Sequence, residues 1–259
     1  MRITTIINGK GGVGKTTAAH ALGTGLHRCK SSVPAKTLAI DYDPQGNLSY
    51  AYGADIINSP TMYHVINGDT TIDEAIQHTP QGDIIVGNPT LAKIESMFSG
   101  DDIFDGLYKL AEQLSAICGY THILIDNQPL INGLLSRQAL IAATDIVVPM
   151  SADTFTIQGL VRLEKAVESI KKRDNPKLFI AGILLTKYNP RTTVNVFAAQ
   201  SIKGWTDSHD TKIYNAYIRE SVKVKESQAK KQSLFDYAPD SNPALDYLAF
   251  ISEYMEEEG

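Results

Sequence analysis

Cysteine is nearly absent from this chain: Cys29 and Cys118 are the two in 259 residues, and they form neither a C-x-x-C pair nor a Cys/His cluster. That spacing argues against a disulfide framework or a thiolate metal centre, and the expectation is free thiols in a reducing cytoplasm. No apolar run reaches the roughly 18–20 residues that span a bilayer. The first residues read directly as a strand, so no secretory or transit segment is expected. Pro/Gly/Ser linkers, internal repeats and low-complexity tracts are also missing, and a single domain over residues 1–259 is the expectation. Positive charge is not in excess either. Lys and Arg number 24 against 29 Asp and Glu, a net charge of −5 that does not advertise a nucleic-acid binder.

The hydrophobic fraction of 43% and the charged fraction of 20% are those of a soluble globular protein. Short apolar runs recur at Ile3–Ile7, Thr37–Ile40, Asp83–Val86, Ile123–Ile125, Ile146–Pro149 and Phe179–Leu185. Helical spacing lies between most of them, at Thr16–Arg28, Ile103–Ile117, Gly133–Ala143 and Thr156–Arg173. Continuous apolar strands alternating with helices imply an α/β fold, with a mostly parallel sheet flanked by helices on both faces. A last helix is expected after Asn242-Pro243, with Asn242 as cap and Leu245, Leu248, Ala249 and Ile251 toward the core.

The most informative segment follows the first strand. Gly9, Gly14, Lys15 and Thr16 fit G-x-x-x-x-G-K-[ST], within Lys10-Gly11-Gly12-Val13-Gly14-Lys15-Thr16-Thr17. Such a loop turns backbone N–H groups onto a phosphate, its lysine reaches the β- and γ-phosphates, and its hydroxyl serves Mg2+. One lysine suffices for the loop's own nucleotide, so Lys10 asks for another role. Two acidic stretches end later strands, Asp41-Tyr42-Asp43-Pro44-Gln45-Gly46-Asn47 and Asp126-Asn127-Gln128-Pro129. Taken alone, either fits a turn or a helix cap. Downstream of a phosphate loop, Asp126 is the candidate magnesium holder, directly or through water, and Asp43 is placed to orient or deprotonate a water. Asp41 is expected to link the nucleotide state to the neighbouring loop.

Lys-Gly-Gly-Val-Gly-Lys-Thr-Thr followed by Asp-Tyr-Asp-Pro-Gln-Gly-Asn resembles the ParA/Soj family of partition ATPases, within the deviant Walker A group that includes MinD. The resemblance continues through Ser151–Leu160, Leu185–Thr192, Ile218–Ser227, Tyr237–Ser241 and Tyr247, and so covers essentially the whole chain. It implies a P-loop NTPase sheet of about seven or eight strands. The implied activity is hydrolysis of ATP, weak in isolation, with ATP and Mg2+ as cofactors. Gly11, Gly12, Val13, Gly14, Lys15, Thr16 and Thr17 bind the nucleotide, Thr16 and Asp126 hold the metal, and Lys10, Lys15 and Asp43 are catalytic. Pro239 is assigned to the adenine site.

In this family the lysine matching Lys10 crosses an ATP-dependent sandwich homodimer onto the phosphates of the other subunit. The implied partners are non-specific DNA, contacted through Arg219, Lys223 and Lys225, and a ParB-type centromere-binding protein. The implied location is cytoplasmic and nucleoid-associated, and the implied task is plasmid or chromosome segregation. Seven basic residues lie between Lys203 and Lys231, against four acidic ones.

The chain departs from the family's Asp-x-Pro-Pro by carrying Gln128 before Pro129, which bears on the stiffness of that loop. It also lacks the N-terminal helix-turn-helix extension of some plasmid members, so autorepression at an operator is not expected. A MinD-like membrane ATPase would need a basic amphipathic C-terminus. Residues 246–259 instead hold five acids and no Lys or Arg. Neither cysteine fits a nitrogenase iron protein. A synthetase of the same fold and an ATPase positioning another cargo complete the alternatives.

Overall fold

The structure, a computed structural model, describes residues 1–28, 35–98, 103–152 and 156–256. Cys29, residues 153–155 of the Ser151–Leu160 motif, and Glu257 and Glu258 of the acidic tail lie outside the described residues.

Seven strands form one sheet: β1 (Arg2–Ile6), β2 (Thr37–Tyr42), β3 (Gln77–Thr79), β4 (Gly82–Ile85), β5 (His122–Asn127), β6 (Asp145–Ser151) and β7 (Phe179–Thr186). Their order is β3-β4-β2-β5-β1-β6-β7, and every pairing is parallel except β3 with β4. The expected apolar runs each become a strand. β3 carries no apolar run and is only three residues long, so it left no signal. Beyond β7, residues 213–218 add two isolated parallel bridges, Ile183 to Ile213 and Thr186 to Ile218. This irregular eighth track carries the chain back across the strand ends.

Both faces are covered, as continuous apolar strands require. Side chains alternate by two along each strand. Leu38, Ile40, Ile123, Ile125, Ile146, Val148 and Ile183 join one core, while Ala39, Leu124, Val147 and Leu184 join the other. On the first face pack α3 (Met62–Asn67), α5 (Ile103–Leu107), α6 (Lys109–Ser115), α7 (Leu134–Ala142) and α8 (Thr156–Arg173). On the second pack α1 (Lys15–Gly25), α2 (Asn47–Tyr52) and α12 (Asn242–Glu256). The remaining helices are α4 (Ile94–Met97), α9 (Thr193–Thr206), α10 (Val222–Ala229) and α11 (Leu234–Tyr237).

Two expectations need correction. The span Ile103–Ile117 divides into α5 and α6 at Tyr108. Helix α12 begins at Asn242, one residue earlier than expected, and its first turn closes from Leu245 N–H to the Ser241 carbonyl at 3.1 Å. Its inward face is Ala244, Tyr247, Phe250, Ile251 and Tyr254, whereas Leu245 is half exposed and Ala249 faces out. The tyrosines decide the register, because each buries more area than the leucine or alanine beside it. Among the described residues no helix is long and apolar enough to cross a membrane.

Candidate functional site

β1 ends in the core at Ile6, and the chain turns through the glycine-rich loop into α1. Gly12 (φ +74°) and Gly14 (φ +91°) lie in the left-handed region, where a Cβ is strained. A Cβ built on Gly11 or Gly12 meets nothing within 4 Å, so both glycines face open space. Its base is fixed from two strands, β6 and β7. The Asn8 amide donates to the Pro149 carbonyl at 2.8 Å while its Oδ1 accepts from Lys10 N–H at 2.9 Å, and the Thr186 hydroxyl donates to the Val13 carbonyl at 2.7 Å.

The loop borders a cleft of about 650 Å³ at the C-terminal ends of the strands, where open α/β sheets place their ligands. Gly11, Gly12, Gly14, Lys15, Thr16 and Thr17 line its floor. Asp43, Gln45, Asn47 and Tyr50 form one wall, and Arg219, Ser221, Lys225 and Gln228 the other. Gln228 donates to the Thr17 hydroxyl at 3.2 Å, which ties α10 to the start of α1.

Lys15 is 7% exposed, and its ammonium donates to the Lys10 carbonyl at 3.2 Å. Burial pushes its pKa down, while the charges of Asp126 and Asp43 pull it back up. Lys10 itself is exposed beside the cleft and is not part of its lining.

Asp41 and Asp126 are register partners on adjacent strands, and both are buried. Asp41 accepts from the Ser49 N–H and hydroxyl, each at 2.7 Å, and from Asp43 N–H at 3.3 Å. Burial still raises its pKa to about 6, with those hydrogen bonds opposing and the Asp43 charge adding to the rise. No well-formed hydrogen bond reaches either Asp126 oxygen, and the Thr16 hydroxyl is the donor beside them. Burial, then the charge of Asp41, drive its pKa well above the carboxylate range, while Thr16 and Lys15 pull the other way. A buried carboxylate short of donors beside a second acid is a site short of positive charge. A divalent cation held by the Thr16 hydroxyl, Asp126 and phosphate oxygens fits it, because Mg2+ uses few protein ligands and keeps waters or phosphates for the rest. No group of three or more His, Cys, Asp or Glu among the described residues offers an all-protein cage.

The remaining sequence candidates separate. Asp43 lines the cleft and accepts from Gln45 N–H at 2.9 Å. Pro239 is not brought to the cleft: it is exposed in the turn between α11 and α12, and the buried ring of Tyr247, a turn into α12, lines the cleft instead. The three basic candidates form no single patch. Arg219 lines the cleft with its side chain 41% exposed, held by a fork to Asp246 (Nη2 to Oδ1 2.6 Å, Nε to Oδ2 2.9 Å). Lys225 also faces the cleft, whereas Lys223 pairs with Glu226 at 2.9 Å over the Tyr237 ring. Sequence reasoning missed Asn8, Ser49 and Gln228. Asn8 reaches Pro149 on β6 as well as Lys10, Ser49 reaches Asp41 on β2, and Gln228 reaches Thr17 on α1.

A parallel sheet with a glycine-rich loop between β1 and α1, and acidic strand ends facing it, is the construction of a P-loop NTPase. A family model described as an AAA domain matches residues 1–180. The chain is 32% identical to the chromosome partitioning protein ParA of Caulobacter vibrioides, over 100% of this chain and 95% of that protein. Cobyrinic acid a,c-diamide synthase from Mycobacterium smegmatis, crystallised with ADP and magnesium, superposes with a TM-score of 0.82 at 25% identity, covering 100% of this chain and 95% of the other. The septum site-determining protein MinD from Pyrococcus horikoshii, complexed with Mg-ADP, gives 0.76 at 26%, covering 100% and 97%. The chain belongs to the ParA/Soj family of ATPases.

Proposed function

We propose that this chain is an ATP-dependent partition ATPase that acts as one unit over residues 1–259 in the cytoplasm and on the nucleoid. The observation that carries the reading is the buried, under-bonded carboxylate of Asp126 beside Lys15 and Thr16 of the loop. ATP binds with its phosphates in the loop of Gly11–Thr17. Bound Mg2+, held by Thr16 and Asp126, supplies charge neutralisation at the phosphates. Lys15 gives up the Lys10 carbonyl for the phosphates. Asp43, on the cleft wall, orients the attacking water. The phosphate-loop neighbours with ADP and magnesium support the cofactor assignment.

In this reading Lys10, exposed beside the cleft, serves a second copy of the chain. A lysine delivered only in the dimer couples assembly to hydrolysis, as arginine fingers do elsewhere. The ATP dimer binds DNA without sequence preference, and a ParB-type partner raises an intrinsically weak turnover and releases it. The fork to Asp246 makes Arg219 a fixed wall of the cleft rather than a mobile phosphate contact. Lys223 and Lys225 therefore carry more of the DNA contact in this reading than Arg219 does. The test is binding of a non-specific duplex by the protein with ATP–Mg2+, ADP–Mg2+ or no nucleotide. Binding with ATP alone is expected. Binding in no state moves the cargo away from DNA, toward the positioning role of a MinD-like ATPase.

A further inference from the structure

Gln128 stands where the family commonly has the first of two prolines, and its side chain is buried. Its amide donates to Glu95 Oε1 at 2.8 Å. The same carboxylate accepts from Leu134 N–H at 2.7 Å and from Leu135 N–H at 3.3 Å, the first turn of α7. Glu95 thus closes both ends of the 128–133 loop onto one side chain, at the helix end where a negative charge is favoured. The loop is closed internally as well. The Leu130 carbonyl accepts from Gly133 N–H at 3.2 Å and from the Ser136 hydroxyl at 2.7 Å. Glu95 is itself held in place: Leu91 and Ile94 are buried on either side of that turn, and Asn88 caps it through Thr90 N–H at 3.1 Å.

This loop touches the nucleotide site twice. Pro129 lines the cleft. Ile131 lies against Gly9, where a Cβ would come within 2.7 Å of Ile131 Cδ1, immediately before Lys10. Asp126 sits two residues before Gln128.

We propose that Glu95 is a positioning residue for ATP hydrolysis: its carboxylate takes over, through Gln128 and the α7 amides, the stiffening that a proline at 128 would give. Proline stiffens by fixing φ, whereas Gln128 stiffens through a side-chain bond and so needs a partner. The proposal rests on the ATPase reading above. Glu95 reaches neither substrate nor metal and acts by holding Pro129 and Ile131 against the phosphate loop. Small displacements near reacting groups cost turnover steeply while leaving ground-state binding largely intact.

The experiment combines ATP turnover, ATP affinity and amide hydrogen exchange in Glu95→Ala, Gln128→Leu, Gln128→Pro and the double variant Glu95→Ala/Gln128→Pro. Thermal melts confirm that each variant is folded. Glu95→Ala and Gln128→Leu are expected to lower kcat about tenfold, with ATP affinity within about twofold of wild type. Gln128→Pro should keep wild-type kcat, and adding Glu95→Ala to it should cost less than about threefold. Exchange at Leu134 and Leu135 should accelerate in Glu95→Ala. Unchanged exchange there overturns the proposal whatever the turnover, as does an equal loss of kcat in the two backgrounds. A wild-type protein that does not hydrolyse ATP overturns the ATPase reading instead, and the exchange result still decides whether Glu95 holds the loop.

Discussion

Asp41 and Asp126 face each other across the β2–β5 register, and the sheet holds both carboxyls out of water. Neither can leave, because their strands are central and parallel. Burial raises the pKa of both, and the charge of Asp41 adds to the rise at Asp126.

The first expectation concerns pH. The Asp41 pKa of about 6 lies above its ordinary value of 3.8, so the folded state holds its proton more tightly than the unfolded chain. Stability from this group is therefore full below about pH 4 and is lost as the pH rises through about 6. In the nucleotide-free protein, the Tm of Asp41→Asn minus that of wild type should become more positive from pH 4 to pH 7. A flat difference would mean that the Asp41 carboxyl is no worse placed folded than unfolded. ATP–Mg2+ should shrink the wild-type pH dependence.

The two lysines of the loop should separate cleanly. Lys15→Ala removes the buried ammonium and is expected to lower ATP affinity at least a hundredfold by calorimetry. Lys10→Ala leaves the cleft lining intact and should bind ATP within a fewfold of wild type. Sedimentation should then find it monomeric with ATP. ATP-dependent dimers of Lys10→Ala would count against the crossing role.

Arg219 and Asp246 form one unit. Arg219→Ala and Asp246→Ala should weaken ATP binding to similar extents, and the double variant should be little worse than either, as a double-mutant cycle reads directly. Lys223→Ala and Lys225→Ala should instead weaken DNA binding and flatten its salt dependence by about one unit of log–log slope each. If Arg219→Ala abolishes DNA binding with ATP affinity intact, the fork opens in the complex and Arg219 is a DNA contact.

How much of this was legible depended on whether the information was local. The loop from Gly9 to Thr17 is contiguous, so its spacing alone announced the phosphate site. Asp126 follows an apolar run directly and Asp43 lies just past another, and such strand ends converge in an open parallel sheet, so both positions can be read from the sequence. The Arg219–Asp246 fork was not legible, since it joins residues 27 apart through the docking of α12. The same holds for Glu95, which meets Gln128 from 33 residues away. Pro239 was placed by resemblance to a motif, and the turn before α12 carries it outside. Counting aliphatic residues points to the wrong face of α12, because two buried tyrosines and a phenylalanine outweigh Leu245.

Packing under the loop gives a stability expectation. A Cβ on Gly23 in α1 would collide with the Tyr52 hydroxyl, and it lies 3.7 Å from Leu124 Cδ1 in β5. Gly23→Ala should lower stability by about 1–3 kcal/mol in urea unfolding, despite alanine's better helix propensity. A stabilised variant would show that Tyr52 swings aside at no cost.

The central claim is that ATP converts this chain from a monomer into a DNA-binding dimer through Lys10. Sedimentation velocity of the wild-type chain with a labelled non-specific duplex tests it most directly, run in ATP–Mg2+, in ADP–Mg2+ and without nucleotide. The duplex is expected to move with a dimer in ATP–Mg2+ alone, and Lys10→Ala is expected to lose that species. A duplex bound equally in all three conditions, or an ATP-bound monomer carrying it, would contradict the account.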